Sequence, residues 1–86
     1  MRQTNQDIID VLEYINKEGL SNNMWQIVTI DVDAHAYYGA EEFDVMLPPH
    51  IAIWVTPERQ GEIFSLVMYD AILTTVEDDM VAILYL

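Results

Sequence analysis

The chain has 86 residues, with 15 acidic against 3 basic side chains, a net charge of −12, no cysteine and 52% hydrophobic residues. This length allows one small domain, residues 1–86, and the apolar content excludes a disordered acidic tail, because disorder requires low hydrophobicity as well as high net charge. The lack of cysteine excludes disulfides, thiolate metal sites and thiol catalysis, and fits an intracellular protein.

The first predicted element is an amphipathic helix over residues 5–18. Apolar side chains recur there at the i, i+3, i+4, i+7 spacing of one helix face: Ile8, Val11, Leu12 and Ile15. Thr4 is placed to cap the start of the helix. Gly19 can take the left-handed conformation that ends it, with Leu20 folding back as the hydrophobic contact. The start and stop signals therefore agree.

Residues 24–36 alternate with period two, which predicts one long β-strand. One face of this strand is predicted to carry Val28, Ile30, Val32 and Ala34. The other face ends in Asp31, Asp33 and His35, a set that could ligate a divalent metal or act as acid and base. The plainer interpretation is a solvated strand face, and we expect no metal and no other cofactor.

Residues 37–49 permit two interpretations. A bend is expected at Tyr37, Tyr38 and Gly39, while residues 41–47 form either a two-turn helix or, as we prefer, a strand or irregular segment that Pro48 and Pro49 end. The apolar, β-branched run over 50–55 is predicted to be a well-buried strand. Trp54 lies inside this run, so we expect it in the core.

A second helix is predicted to open at Thr56, Pro57 and Glu58, which suit the N-cap, N1 and N2 positions, and to run to about Leu73. It is more apolar than a surface helix needs to be, which leaves either a strand that is misread as a helix or a helix with a second buried face. After an acidic connection, residues 80–86 carry no charge, which is typical of a strand that is central in its sheet or paired across an interface. This apolar surplus leaves a homodimer or a permanent partner open.

These elements together predict an α+β fold, a two-layer sandwich with two helices on one face of a three- or four-stranded, mainly antiparallel sheet. The sequence contains no glycine-flanked serine elbow, no phosphate-binding glycine loop and no basic cluster for an anionic substrate. We therefore do not expect an enzyme. We also expect neither a signal peptide nor a membrane span, because the longest apolar runs are far below about 20 residues.

The acidic residues are the most distinctive feature. Twelve of the 15 fall into four groups: Asp7, Asp10, Glu13 and Glu18; Asp31 and Asp33; Glu41, Glu42 and Asp44; and Glu77, Asp78 and Asp79. Only Arg2, Lys17 and Arg59 can neutralise them, so we expect a negative field that attracts a basic partner and disfavours direct contact with nucleic acid or membrane. The predicted partner-binding residues are Asp31, Asp33, Tyr37, Tyr38, Glu41, Glu42, Asp44, Glu77, Asp78 and Asp79.

Two acidic residues on one face of an extended strand lie about 6.6 Å apart. Successive phosphates advance by about 3.4 Å each along a DNA strand, so Asp31 and Asp33 are predicted to imitate phosphates two steps apart. The alternative interpretation is that the charges only keep the domain in solution.

In size, charge and α+β make-up, the chain resembles small acidic inhibitors of phages and bacteria: DNA-mimicking anti-restriction and anti-CRISPR proteins, uracil-DNA glycosylase inhibitors and immunity proteins for nuclease toxins. Tyr37-Tyr38-Gly39, followed by Glu41, Glu42, Phe43 and Asp44, is similar to a segment of the barstar-type ribonuclease inhibitors. That likeness implies that Glu42 and Asp44 enter an enzyme cleft. The order of elements is also similar to that of colicin-type nuclease immunity proteins.

These resemblances imply a non-enzymatic inhibitor in the cytoplasm of a bacterial host cell. Its partner would be the basic nucleic-acid-binding surface of a host defence enzyme. An immunity protein that neutralises a nuclease toxin is the first alternative, and an oligomeric structural or assembly protein is the second.

Overall fold

The computed structural model describes residues 5–59, 61–62 and 71–86. The described elements are, in chain order, α1 (Asn5–Glu18), β1 (Trp25–Val28), β2 (Val32–Asp33), α2 (Ala34–Tyr38), β3 (Met46–Leu47), β4 (His50–Val55), β5 (Ala71–Thr74) and β6 (Met80–Tyr85). In these residues, no helix combines the length and the hydropathy that crossing a bilayer requires.

Four strands form an antiparallel sheet in the order β1-β4-β6-β5. The central pair runs from His50 opposite Tyr85 to Val55 opposite Met80. Residues 81–84 of β6 are all buried, although their side chains alternate between the two faces. The prediction that the uncharged last segment is a central strand is confirmed, since a strand with neighbours on both sides and cover on both faces has no place for a charge.

The two faces of the sheet are covered by different elements. On one face, Val11 and Ile15 of α1 form a core with alternate residues of the central strands: Ile51, Ile53, Val55, Ala82 and Leu84. On the other face, α2 and the small β2-β3 sheet pack in a second core around Ala52, Leu73, Val81 and Ile83. The α+β class and the four-stranded antiparallel sheet are confirmed.

A helix that the sequence did not predict, α2, lies on the face of the sheet opposite to α1. Residues 63–70 of the helix predicted to share the face of α1 lie outside the described part. The reason for a cover on both faces is the composition of β4 and β6. Both strands are apolar on both faces, so a cover on one face alone would leave a layer of Ala, Val and Ile side chains in water.

The first helix is confirmed with its C-terminal cap. Gly19 has a φ of 63°. The N–H of Gly19 donates to the carbonyl of Asn16 at 3.2 Å, and the N–H of Leu20 donates to the carbonyl of Ile15 at 3.1 Å. This is the Schellman pattern, in which a residue after the glycine packs back on the last turn. Leu20 is accordingly buried in the α1 core. Thr4, the predicted N-cap, lies outside the described residues.

The single long strand predicted for residues 24–36 is wrong. β1 ends at Val28, the chain bends at Ile30, and α2 begins at Ala34. Ile30, which was predicted to share one strand face with Val28 and Val32, is 65% exposed, whereas those two residues are buried. The bend is stabilised at its far side by Asp33, whose carboxylate accepts a hydrogen bond from the N–H of His35 at 2.9 Å and so caps α2.

Residues 37–39 do not form the simple bend that was predicted. Residues 40–49 follow the preferred interpretation of a strand or irregular segment. Tyr37 and Tyr38 end α2, and Gly39 caps it with a φ of 66°. From there the chain is irregular up to the two-residue strand β3, which stops before Pro48. The alternative of a two-turn helix over 41–47 is not formed.

The second predicted helix, from Thr56 to about Leu73, is wrong at its start and at its end. Residues 57–59 form a turn, in which the N–H of Arg59 donates to the carbonyl of Thr56 at 3.0 Å. Gly61 and Glu62 have helical backbone, and residues 63–70 lie outside the described part. Residues 71–74 are the strand β5, hydrogen-bonded to β6, and Leu73 is fully buried there. Pairing with the next strand outweighs the local helical spacing.

Candidate acidic interaction surface

Two loops that are far apart in sequence meet through a backbone hydrogen bond. The N–H of Val76, between β5 and β6, donates to the carbonyl oxygen of Gly39, directly after α2, at 2.8 Å. The approach is close because Gly39 has no side chain. A Cβ at that position would lie 2.8 Å from Cγ2 of Val76. We call residues 39–45 and 75–79 the acidic loop pair.

The acidic loop pair carries exposed carboxylates from both loops: Glu41, Glu42, Asp44, Glu77, Asp78 and Asp79. The described cationic side chains lie elsewhere. Lys17 is in the last turn of α1, and Nη1 of Arg59 donates to the hydroxyl of Tyr14, also on α1, at 3.4 Å. The acidic loop pair lies next to α2, on the side of the sheet opposite to α1. It therefore presents negative charge with no neutralising partner among the described residues.

The remaining predicted carboxylates near α2 are arranged differently. Asp31 is exposed just before β2, whereas Asp33 is half-buried with one oxygen engaged by the N–H of His35. Because α2 begins directly after Asp33, Asp31, Asp33 and His35 do not line one strand face. The geometry on which the metal candidate and the two-phosphate imitation depended is therefore not formed. No group of three acidic or histidine side chains that could hold a metal occurs in the described ranges.

The two tyrosines predicted as partner contacts have different environments. Tyr37 is 49% exposed, and its hydroxyl accepts a hydrogen bond from Nε2 of Gln26 at 3.4 Å. Tyr38 is buried, and its hydroxyl lies 2.6 Å from Nε2 of His50. Tyr38 therefore belongs to the core, and Tyr37 is the tyrosine of this pair that a partner can reach.

The buried pair of Tyr38 and His50 is neutral at pH 7. Nδ1 of His50 lies 2.8 Å from the carbonyl of Pro48, which can only accept, so Nδ1 carries the proton and Nε2 accepts the hydrogen bond from Tyr38. Burial raises the pKa of Tyr38 to about 12. Burial also lowers the pKa of His50 below its usual value. The pair therefore joins α2 to β4 and is not arranged for proton transfer with a ligand.

A groove of about 390 Å³ opens at the end of the sheet beside the acidic loop pair. It lies where β4 ends and β6 begins, and its lining includes Asn23, Trp54, Pro57, Asp78 and Asp79. Trp54 is half-buried, and its ring packs edge-on against Tyr38 with centroids 6.0 Å apart. One aromatic and two acidic residues, Trp54, Asp78 and Asp79, thus line one concavity. The sequence predicted Trp54 in the core. Its position beside a groove at the end of the sheet depends on the sheet register, which the sequence pattern does not show.

Comparison with known proteins reveals no relative. No protein-family model matches the chain, and no curated protein or solved structure matches it. The functional interpretation therefore depends on the geometry and charge of the chain itself.

Proposed function

We propose that the chain is a non-enzymatic protein inhibitor that binds the basic nucleic-acid-binding surface of another protein, such as a host defence enzyme. The observation that carries this proposal is the hydrogen bond between Val76 and Gly39, which brings two acidic loops together. Surfaces that bind phosphates carry Lys and Arg side chains. A clustered negative surface accelerates encounter with such a surface and selects it over neutral ones.

The backbone of the second loop is held by its own hydrogen bonds. The N–H of Thr75 donates to the carbonyl of Asp79 at 2.9 Å, and the N–H of Asp79 donates to Oγ1 of Thr75 at 3.2 Å. In the first loop, the N–H of Phe43 donates to the carbonyl of Ala40 at 3.0 Å. The carboxylates therefore project from a preorganised backbone, which reduces the entropy lost on binding.

Tyr37 supports the same surface. It lies two residues before Gly39, it is half-exposed, and its ring packs edge-on against buried Tyr38 with centroids 4.8 Å apart. An aromatic side chain held in one orientation beside charged groups is a common anchor of protein interfaces. The proposed contact surface therefore comprises the acidic loop pair and Tyr37.

The proposal is tested with two variants of equal charge. One neutralises the first loop, Glu41→Gln, Glu42→Gln and Asp44→Asn. The other neutralises α1, Asp10→Asn, Glu13→Gln and Glu18→Gln. Affinity is measured against a panel of purified nucleases and other nucleic-acid-binding enzymes over a range of salt concentrations, together with nucleic-acid binding by each enzyme at equimolar inhibitor.

We expect affinity for a target to fall steeply with salt and the loop variant to bind about tenfold more weakly, a change of about 1.4 kcal/mol. The α1 variant should bind like the parent, and bound target should lose its nucleic acid. Equal weakening by both variants would mean that only total charge matters. An affinity that does not change with salt concentration would also contradict the proposal. A single nuclease bound to the exclusion of all others would favour the immunity-protein alternative.

A further inference from the structure

The groove beside Trp54 combines the two features that recognise a guanidinium group, an aromatic surface and neighbouring carboxylates. We infer that it receives an arginine side chain of the protein partner. This inference rests on the proposed function and deepens it, since it names the anchor of the basic surface and the place where it is held.

The carboxylates of Asp78 and Asp79 are available to a ligand. Their backbone groups are already engaged, because the N–H of Asp78 donates to the carbonyl of Thr75 at 2.9 Å and Asp79 is bonded to Thr75 through both its N–H and its carbonyl. Both side chains are exposed, and within the described residues neither is paired with a basic side chain. Two adjacent carboxylates can accept several of the five N–H donors of a guanidinium.

The indole of Trp54 is held in position by packing against Tyr38. Tyr38 is in turn hydrogen-bonded to the fully buried His50. A ring that is fixed before binding loses little entropy when a cation stacks on it. A planar guanidinium stacks on an indole and forms paired hydrogen bonds with carboxylates, whereas a lysine ammonium acts as a point charge. This favours arginine over lysine.

The groove is large enough to admit one side chain. Its volume of about 390 Å³ lies near the lower end of the range of roughly 300–1,000 Å³ that is usual for small-molecule pockets. Pro57 and Met80 also line it, so the methylene groups of an arginine would meet apolar surface beside Trp54 while the guanidinium reaches the carboxylates.

The test uses a probe that needs no protein partner, Nα-acetyl-arginine methylamide, titrated into the full chain and followed by two-dimensional NMR. Its neutral isostere, the citrulline derivative, and the lysine derivative serve as comparison ligands. The variant is Asp78→Asn with Asp79→Asn. Asparagine is suitable because Asp78 has a φ of 64°, which asparagine also adopts. The matched control removes two charges from α1, Glu13→Gln with Glu18→Gln, at exposed positions outside the groove lining.

We expect saturable shifts confined to the Trp54 indole and the amides lining the groove. The double variant and the citrulline derivative should each weaken binding about tenfold, while Glu13→Gln with Glu18→Gln should change it less than about twofold. Shifts spread over all acidic groups, equal binding of citrulline, tighter binding of lysine or an equal loss in the α1 control would each overturn the inference. Salt-dependent target binding that persists in the double variant would overturn the inference and leave the proposed function standing. Arginine bound in the groove of a chain that binds no basic protein would overturn the proposed function instead.

Discussion

The hydroxyl of Tyr38 donates a hydrogen bond to Nε2 of His50 at 2.6 Å, inside the core between α2 and β4. Tyr38 also supports the ring of Trp54, and Gly39 follows it directly. This one polar contact therefore positions both the aromatic wall of the groove and the start of the acidic loop pair. It is buried, and hydrogen bonds in such surroundings are costly to remove because the remaining partner has no water to replace the lost one.

Removing this hydrogen bond should destabilise the fold. Tyr38→Phe leaves Nε2 of His50 buried without a donor, and we expect a loss of about 1–3 kcal/mol in the free energy of unfolding. Tyr37→Phe is the matched control, since the Tyr37 hydroxyl makes a 3.4 Å contact at an exposed site, and should cost less than about 0.5 kcal/mol. Urea denaturation measures both variants. Equal stability of the two variants would show that the buried hydrogen bond does not support the fold.

The same pair predicts how stability depends on pH. The pKa of His50 in the folded state is lowered from 6.5. The contribution of neutral His50 to the free energy of unfolding is therefore complete above about pH 6.5 and is lost as the pH falls below that value. The pKa of Tyr38 is raised from 10.0 to about 12, so its contribution is complete below pH 10 and is lost as the pH rises from 10 to about 12. We expect the free energy of unfolding to decline in both windows.

These pH effects are measured by urea denaturation at high salt, which screens repulsion among the exposed carboxylates. His50→Gln should remove most of the decline below pH 6.5, whereas His35→Gln, at an exposed histidine, should leave it unchanged. A decline that is the same in the parent and in His50→Gln would assign it to other groups.

The docking of the two loops depends on the missing side chain of Gly39. Gly39→Ala and Gly19→Ala both place alanine at a left-handed φ, which costs roughly 1–2 kcal/mol. Gly19 has open space around it, but at Gly39 the new methyl group meets Val76. We therefore expect Gly39→Ala to be the more destabilising of the two by thermal unfolding.

A double variant isolates this clash. Val76 is 60% exposed, so Val76→Ala alone should change stability by less than about 0.5 kcal/mol. When Val76→Ala is combined with Gly39→Ala, it should restore the part of the free energy of unfolding that the clash removes. The double variant should then be destabilised about as much as Gly19→Ala. Strictly additive losses in the double variant would mean that Val76 and Gly39 are not coupled.

The N-terminus of α2 depends on the carboxylate of Asp33. Asp33→Ala removes the acceptor for the N–H of His35 and should cost about 0.5–2 kcal/mol, whereas Asp33→Asn keeps a side-chain oxygen and should cost little. Asp31→Ala removes the same charge from an exposed site. Chemical denaturation of the three variants separates capping from charge. If Asp33→Asn is as damaging as Asp33→Ala, capping is not the cause.

Some elements could be predicted because their signals are local. α1 has a periodic apolar face, and Gly19 and Leu20 mark its end within two residues, so no distant contact is needed to define it. β4 and β6 are short apolar runs without charges, and only a buried strand accommodates such a run between turns. The α+β class and the central position of the last strand follow from these elements.

Other elements were decided by contacts that periodicity does not contain. Alternation predicts that Ile30 shares a strand face with Val28, but the chain leaves the sheet there and Asp33 caps a helix. Helical spacing extends to Ile72, but residues 71–74 pair with β6 in a hairpin. In both places the local pattern is compatible with two structures, and burial against the sheet selects one.

The sequence by itself determined the strong excess of carboxylates, the first helix and the two central strands, because each depends on composition or on neighbours a few residues apart. Only the tertiary structure decided where the charges gather. Val76 reaches Gly39 across 37 positions of sequence, and Trp54 lines the same groove as Asp78 and Asp79 because β4 and β6 pair in one register. Such contacts form when segments that are distant in the sequence pack together on folding. The periodicity of the sequence does not indicate which segments will pack.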